Sequence, residues 1–293
     1  MSHGLSANDY HHYDHRTHVY EKPDVYIGPA VPLQRDDWVY RSESKTIEKD
    51  RIIFPPGCER LFLEVLSNAS DNVGESRRAK VDPGTIEVEM TADRITVTNY
   101  GLPIPVEVHP EKKIYVPEMI FGSLLTSSKY KVDRHGIGTN GIGAKATNIF
   151  SLHFSVVVQD HIRQLKYVQR WEQNMTKCYP AMIVPYTGKS SLVKVSYVMD
   201  FARFGYEQAA GYPPEAFALY HRHCIDASFN SKINVKFNGE ELSYHHIKEY
   251  ARLYFGERVE TAIVHYEWPP ETAITKKKTG EQVAKDPSIM PVV

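Results

Sequence analysis

The chain has 293 residues, 42% of them hydrophobic, and its 35 basic and 36 acidic side chains leave a formal net charge of -1. That length and apolar content suffice for one large core or two modest ones, which excludes general disorder, and the balanced charge excludes the overall basicity with which a domain grips nucleic-acid phosphates. Cys58, Cys178 and Cys224 are too few and too scattered for a disulfide framework or a thiolate zinc site; no window approaches the roughly 18 apolar residues of a membrane span, and the His-rich start lacks the apolar stretch of a secretory signal, so a soluble intracellular protein with no membrane partner is expected.

Up to about Pro23 the chain is polar and aromatic, with His3, His11, His12, His15 and His18 at irregular intervals. It reads as an extended arm over residues 1–22, and the histidine spacing does not favour a metal site. From Ile52 the pattern turns globular: Pro55, Pro56 and Gly57 precede apolar residues at helical spacing, predicting a helix over Cys58 to Val73. Thr85 to Met90 and Arg94 to Asn99 alternate around Thr91-Ala92-Asp93, a hairpin pattern. Further strands are expected at Leu152 to Val158, Gln164 to Trp171 and Leu192 to Met199, a helix at Pro214 to Cys224, and a strand at Ser231 to Phe237 closed by the Asn238-Gly239 turn. A helix with paired strands implies a two-layer α+β sandwich. After about Arg258 the composition shifts to Pro, Thr and Lys; the Lys276-Lys277-Lys278 run is most simply a solvated loop.

Two segments carry chemistry. In the predicted helix, Phe62, Val65, Leu66 and Ala69 fall on one side while Glu64, Asn68, Asp71 and Asn72 gather on the other. A solvated polar face is the ordinary explanation, but two mid-helix asparagines have poor helix propensity, which suggests another reason for their placement. The second segment, Gly136 to Lys145 (GIGTNGIGAK), has four glycines in eight residues, which lets the backbone approach a ligand closely and wrap phosphate oxygens with N–H groups. It is not a dinucleotide fingerprint, because charged residues rather than an apolar strand precede it. It is not a P-loop either, because Ala144 separates Gly143 from Lys145.

Taken in order, Glu64-x-x-x-Asn68-x-x-x-Asn72, then Asn99 to Pro105 (NYGLPIP), then the glycine loop resemble the ATP site of the GHKL superfamily. Finer wording, in PDVYIG at Pro23, EVLSNASDN at Glu64, YVPEMIFGSLLTSSKY at Tyr115 and GTNGIGAKATNIF at Gly138, is similar to the ATPase domain of eukaryotic-type type IIA DNA topoisomerases; the likeness runs from about Pro23 to Tyr254. The resemblance implies a two-layer α/β sandwich of the Bergerat type, with a mixed, mostly antiparallel sheet and helices on one face. It implies that Glu64 is the general base, that Asn68 gives its amide oxygen to Mg²⁺, and that Asn72 lies near the phosphates or ribose. Asn99 would recognise the adenine amino group between apolar walls drawn from Ile104, Ile120 and Phe121. Ser127 and Ser128 would meet ribose or phosphate. Gly138, Thr139, Asn140, Gly141, Ile142, Gly143, Ala144 and Lys145 would form the lid over ATP.

The sequence departs from the family at Pro103, which replaces a turn glycine, at Thr139, where cellular members have arginine, and at Val193, in a usual threonine position. The implied partition is an arm over 1–22, the ATPase domain over 23–258, and a linker or the start of a truncated transducer domain over 259–293. With no QTK-type lysine loop recognisable, weak hydrolysis is expected. The implied partners are a second copy, joined through the arm when ATP is bound, and a DNA duplex handled by the full enzyme; the source could be cellular, and then nuclear, or viral. Other GHKL ATPases, Hsp90-like or MutL-like, and a nucleotide-dependent dimerisation module without turnover are the alternatives.

Overall fold

The computed structural model describes residues 13–124 and 142–258. Two short helices, α1 (His15–Glu21) and α2 (Pro23–Tyr26), lead into a separate antiparallel hairpin, β1 (Leu33–Arg41) and β2 (Thr46–Phe54). The long helix α3 (Pro56–Arg78) follows, then β3 (Ile86–Met90), β4 (Arg94–Tyr100), α4 (Val116–Gly122) and α5 (Gly143–Ile149). The chain continues through β5 (Ser151–Asp160), β6 (Leu165–Glu172), β7 (Lys177–Cys178), β8 (Met182–Pro185), β9 (Leu192–Met199), α6 (Pro214–Ser231), β10 (Val235–Phe237), β11 (Glu240–Leu242) and α7 (Ile247–Phe255). The main sheet has nine strands in the order β11-β10-β3-β4-β9-β5-β6-β7, with β8 on the free side of β6. Only the β10–β3 pairing is parallel among those described.

Strand alternation explains the layering. Ile95 and Val97 of β4, Val195 and Tyr197 of β9, and Phe154 and Val156 of β5 are all buried, and because alternate residues share a face they form one apolar surface. Helices α3 and α6 cover it. α3 buries Leu61, Phe62, Val65, Leu66, Ala69 and Val73, and Phe62 stacks on Tyr220 of α6 with ring centroids 4.1 Å apart, an arrangement that adds about 1 kcal/mol beyond area burial. This is the two-layer α+β sandwich with helices on one face that the residues and the resemblance led us to expect. The β1–β2 hairpin packs on this layer through buried Val39, Tyr40, Ile47, Ile52 and Phe54, the last meeting Tyr220 edge-on at 5.9 Å, and Arg35 adds a contact to Glu59 at the start of α3, which His223 of α6 also reaches with Nε2 at 2.7 Å.

Several sequence expectations need correction. The arm is not extended from residue 14 onwards. Asp14 caps α1 by accepting from the Thr17 N–H at 2.7 Å, Val19 is fully buried, and Tyr20 stacks on Phe150 at 5.5 Å while its hydroxyl donates to Asp200 Oδ2 at 2.9 Å. Arg203 donates to the Tyr20 carbonyl at 2.9 Å. The helix forms because a cap and a tertiary socket exist for it, neither of which shows as periodicity in so short a segment. α3 also runs beyond Val73 to Arg78, since Ser76 is still buried. The helix expected at Pro214 to Cys224 continues to Ser231, so the following strand starts at Val235 rather than Ser231. Its last turn is held by Ser228, whose single O–H is shared between the carbonyls of Ile233 and Leu242 at 2.8 and 2.9 Å. The β1–β2 hairpin and α7 were not anticipated. Residues 1–12 and 259–293, including the Lys276 run, lie outside the described residues, and no described helix is long and apolar enough to cross a membrane.

Candidate functional site

α3 is the spine of the site. Its third to fifth turns present Glu64, Asn68 and Asn72 at four-residue intervals, so the three lie on one side of the helix and span about 12 Å along it at 1.5 Å per residue. At one end stands Glu64, half-buried, with Arg60 one turn earlier holding Oε1 through Nη2 at 2.5 Å. Arg60 is more than half exposed, so water screens this ion pair and it orients the carboxylate more than it stabilises the fold. Against the same carboxylate lies Gly143, the first residue of α5: a Cβ there would sit 3.0 Å from Glu64 Cδ and closer still to Oε2. The expected catalytic carboxylate and the end of the glycine loop are therefore in direct contact across α3 and α5.

Asn68, in the middle, is exposed. Its amide oxygen is a hard donor, the type that magnesium takes, and a single such donor beside an open surface fits an ion that keeps waters and ligand phosphates in its remaining positions.

At the other end Asn72 is tied to the chain beyond β4. Its Nδ2 donates to the Leu102 carbonyl at 2.9 Å, and its Oδ1 accepts from the Ser76 hydroxyl at 3.2 Å. Ser76 Oγ in turn accepts from the Leu102 N–H at 2.8 Å. Both backbone groups of Leu102 are thus satisfied by two side chains of α3, which fixes the turn Gly101 to Pro103. Gly101 has φ +96° and a Cβ there would strike Ser76 Oγ and come within 3.1 Å of Pro83 Cα, so this position requires glycine. Asn72 positions the turn in this structure. Sequence reasoning missed Ser76 and Arg60; the signal available for both was four-residue spacing, from Asn72 and to Glu64.

Asn99 ends β4 on its covered face, only 8% exposed and flanked on the neighbouring strands by Ile86 and Val193. Its Nδ2 donates at a long 3.4 Å to the Tyr100 carbonyl. A nearly buried amide so weakly engaged is poised for a ligand with a matching donor–acceptor edge, because unpaired buried amides are costly. Val193, 6% exposed, puts a methyl surface beside Asn99 and offers no hydroxyl there.

The apolar candidates separate. Ile104 and Ile120 are half-buried at the edge of the core, whereas Phe121 is 4% exposed within it, its carbonyl accepting from Asn148 Nδ2 of α5 at 3.0 Å. Ile142 packs against the core, Gly143 and Ala144 open α5, and Lys145 is 2% exposed. Ser127, Ser128, Gly138, Thr139, Asn140 and Gly141 lie outside the described residues.

Burial lowers the Lys145 ammonium to about 8. An anion brought near it favours the charged form, so above about pH 8 the lysine takes up a proton on binding. The affinity for such a ligand is expected to stay level below pH 8, where Lys145 is charged with or without it, and to fall by up to about tenfold per pH unit above that. A titration of affinity between pH 7 and 9.5 tests this; the same profile in Lys145→Met would refute it.

No protein-family model matches the chain. Curated relatives include DNA topoisomerase 2 of Penicillium chrysogenum, 36% identical over 239 residues that make up 81% of this chain and 15% of the relative, and DNA topoisomerase 2 of Saccharomyces cerevisiae, 35% identical over 255 residues, 85% of this chain and 17% of the relative. Thus the chain spans about one-sixth of the length of those relatives. Among solved structures, the ATPase region of Saccharomyces cerevisiae topoisomerase II superposes with a TM-score of 0.80 at 33% identity, covering 86% of this chain and 66% of that one. The ATPase and transducer domains of Balamuthia mandrillaris DNA topoisomerase II give 0.79 at 31% identity, covering 86% and 64%.

Proposed function

Because this chain belongs to the ATPase region of the eukaryotic DNA topoisomerase II family, we propose that it binds ATP along α3 and hydrolyses it with Glu64 as general base, acting as the nucleotide gate of a DNA duplex-passing enzyme. The observation that carries the proposal is the order of groups along one helix. Asn72 anchors the turn that follows Asn99 at one end, Asn68 is open in the middle, and Glu64 touches the end of the glycine loop at the other. That order matches a nucleotide laid base-first, with adenine at Asn99 and the terminal phosphate at Glu64. The Glu64 carboxylate would take the proton of the attacking water, a role that requires it within hydrogen-bond reach and is worth about 10²–10⁴ in rate. Asn68 would hold Mg²⁺ jointly with phosphate oxygens, and the ion would neutralise charge on the triphosphate.

Coupling to a second copy has a route in the fold. α1, the root of the arm, seats Tyr20 on Phe150, the residue that directly follows α5. Nucleotide bound against Gly143 at the start of α5 would thereby shift the seat of the arm, which residues 1–12 would extend to a partner subunit; the nucleotide then switches subunit contact. Capture and passage of a duplex would belong to the longer enzyme, in the nucleus of a eukaryotic cell.

Binding of a non-hydrolysable ATP analogue, measured with and without Mg²⁺ while light scattering follows mass, tests this. Magnesium-dependent binding with a shift to dimer is the expected result. Binding without a mass change would remove the arm mechanism from this chain, and no binding would overturn the nucleotide site itself.

A further inference from the structure

The other face of the sheet carries an independent feature. There a cavity of about 250 Å³ opens over β4, β9, β5 and β6, opposite the helix-covered face that holds Asn99. Strand register defines its floor as two adjacent rows. Arg94, Val198, His153 and Glu172 pair in one, and Thr96, Ser196, Ser155 and Arg170 in the next. Three strand spacings of about 4.8 Å separate β4 from β6, so Arg94 and Arg170 face each other across the two serines from opposite rims.

The charges of this cavity are unequally satisfied. Glu172 is occupied: it accepts from the Tyr179 hydroxyl at 2.6 Å and lies 3.7 Å from Lys177 Nζ and 3.8 Å from His153 Nδ1. Among the described residues the polar contacts of Arg94 are those of its backbone, and the Arg170 guanidinium lies over the Tyr179 ring, 4.1 Å from its centroid, near enough to Glu172 to help keep that carboxylate ionised. A guanidinium over an aromatic ring is held in place by the cation–π attraction without using up its N–H donors. Between the rims, Ser196 Oγ is set 2.9 Å from Thr96 Oγ1. Two guanidiniums, two hydroxyls and one compensated carboxylate make a concave site with surplus positive charge in a chain whose overall charge is -1.

We propose that this cavity binds the dianionic head of a phosphate monoester, held between the Arg94 and Arg170 guanidiniums and the Ser155 and Ser196 hydroxyls. Planar guanidiniums grip phosphate oxygens with paired N–H bonds. A single small phosphate fits better than a nucleic-acid strand, because exposed Glu89 of β3 stands on the same face beside Thr96 and would repel the neighbouring phosphates of a backbone. The site does not depend on the ATPase reading, since it lies on the opposite face and uses none of those residues.

Residue-resolved amide NMR of the 293-residue chain, titrated with inorganic phosphate, tests the proposal. Saturable shifts are expected at Ser155, Arg170 and Ser196. In Arg94→Ser/Arg170→Ser, whose substituted side chains are exposed, the apparent Kd should rise at least about tenfold, with the amides of Gly143 and Lys145 reporting an unchanged fold. Arg94→Lys/Arg170→Lys, which keeps the charge and loses the fork, should fall between. Shifts that grow linearly without saturating, or that survive the double serine substitution, would overturn the proposal. So would a short DNA duplex that displaces phosphate and spreads the shifts to Lys166 and Lys194, since the occupant would then be nucleic acid.

Discussion

Alanine in place of Gly143 is expected to lower ATP turnover about 100-fold while the protein stays folded and still holds nucleotide. The backbone does not object: Gly143 is in the first turn of α5 without a positive φ, and alanine is the better helix former by up to about 1 kcal/mol. What the new methyl meets is the Glu64 carboxylate, which must swing aside. A carboxylate on a flexible stem can do so at little cost in stability, but a general base displaced by an ångström loses about 10² in rate. Glu64→Gln supplies the comparison, because it removes the base without moving it and should lose about 10²–10⁴. Steady-state turnover and analogue affinity, measured on both variants, decide the matter. A Gly143→Ala enzyme with wild-type turnover would mean that Glu64 does its work in another position, or does none.

The second large effect is expected at the other end of α3. Gly101→Ala places a Cβ at φ +96° against Ser76 Oγ, and the left-handed backbone costs about 1–2 kcal/mol on top of about 1–3 for overpacking. For a domain of this size the midpoint of thermal unfolding should fall by roughly 5–15 °C. Nucleotide affinity should fall with it, because the hydroxyl that must move also holds the Leu102 N–H and, through Asn72, the Leu102 carbonyl. A double-mutant cycle with Ser76→Ala separates the causes. Ser76→Ala alone destabilises by orphaning the Leu102 N–H; on that background Gly101→Ala should cost clearly less, since its principal obstacle is gone. Additive effects would show that Ser76 Oγ is not the obstacle and that the cost lies in φ and in the Pro83 contact.

These two positions mark where sequence reasoning stopped. The spacing of Glu64, Asn68 and Asn72 was legible because helical periodicity needs only local order, and the β3–β4 hairpin was legible because alternation and a polar turn do too. That Gly143 abuts Glu64 was not, since 79 positions separate them and nothing local couples a loop glycine to a helix carboxylate. Asn72 was expected beside phosphates or ribose from its place on the helix face; its bond to Leu102 exists only because β4 brings the chain back past α3. For the same reason local pattern in α1 reads as an extended arm. Seven residues cannot hold a helix on propensity, and the socket made by Phe150, Asp200 and Arg203 lies more than 120 residues away.

The two-layer class, the identity and order of the residues on α3, and the resemblance to a nucleotide-binding family are written in local pattern, because they rest on composition and on periods of two and four residues. Which distant groups meet came only from the tertiary fold: Glu64 against Gly143, Asn72 and Ser76 with Leu102, Tyr20 with Asp200, and Arg94 on the same sheet face as Arg170. Burial follows local pattern, whereas contacts of a few ångströms between residues far apart in the chain depend on where distant segments meet.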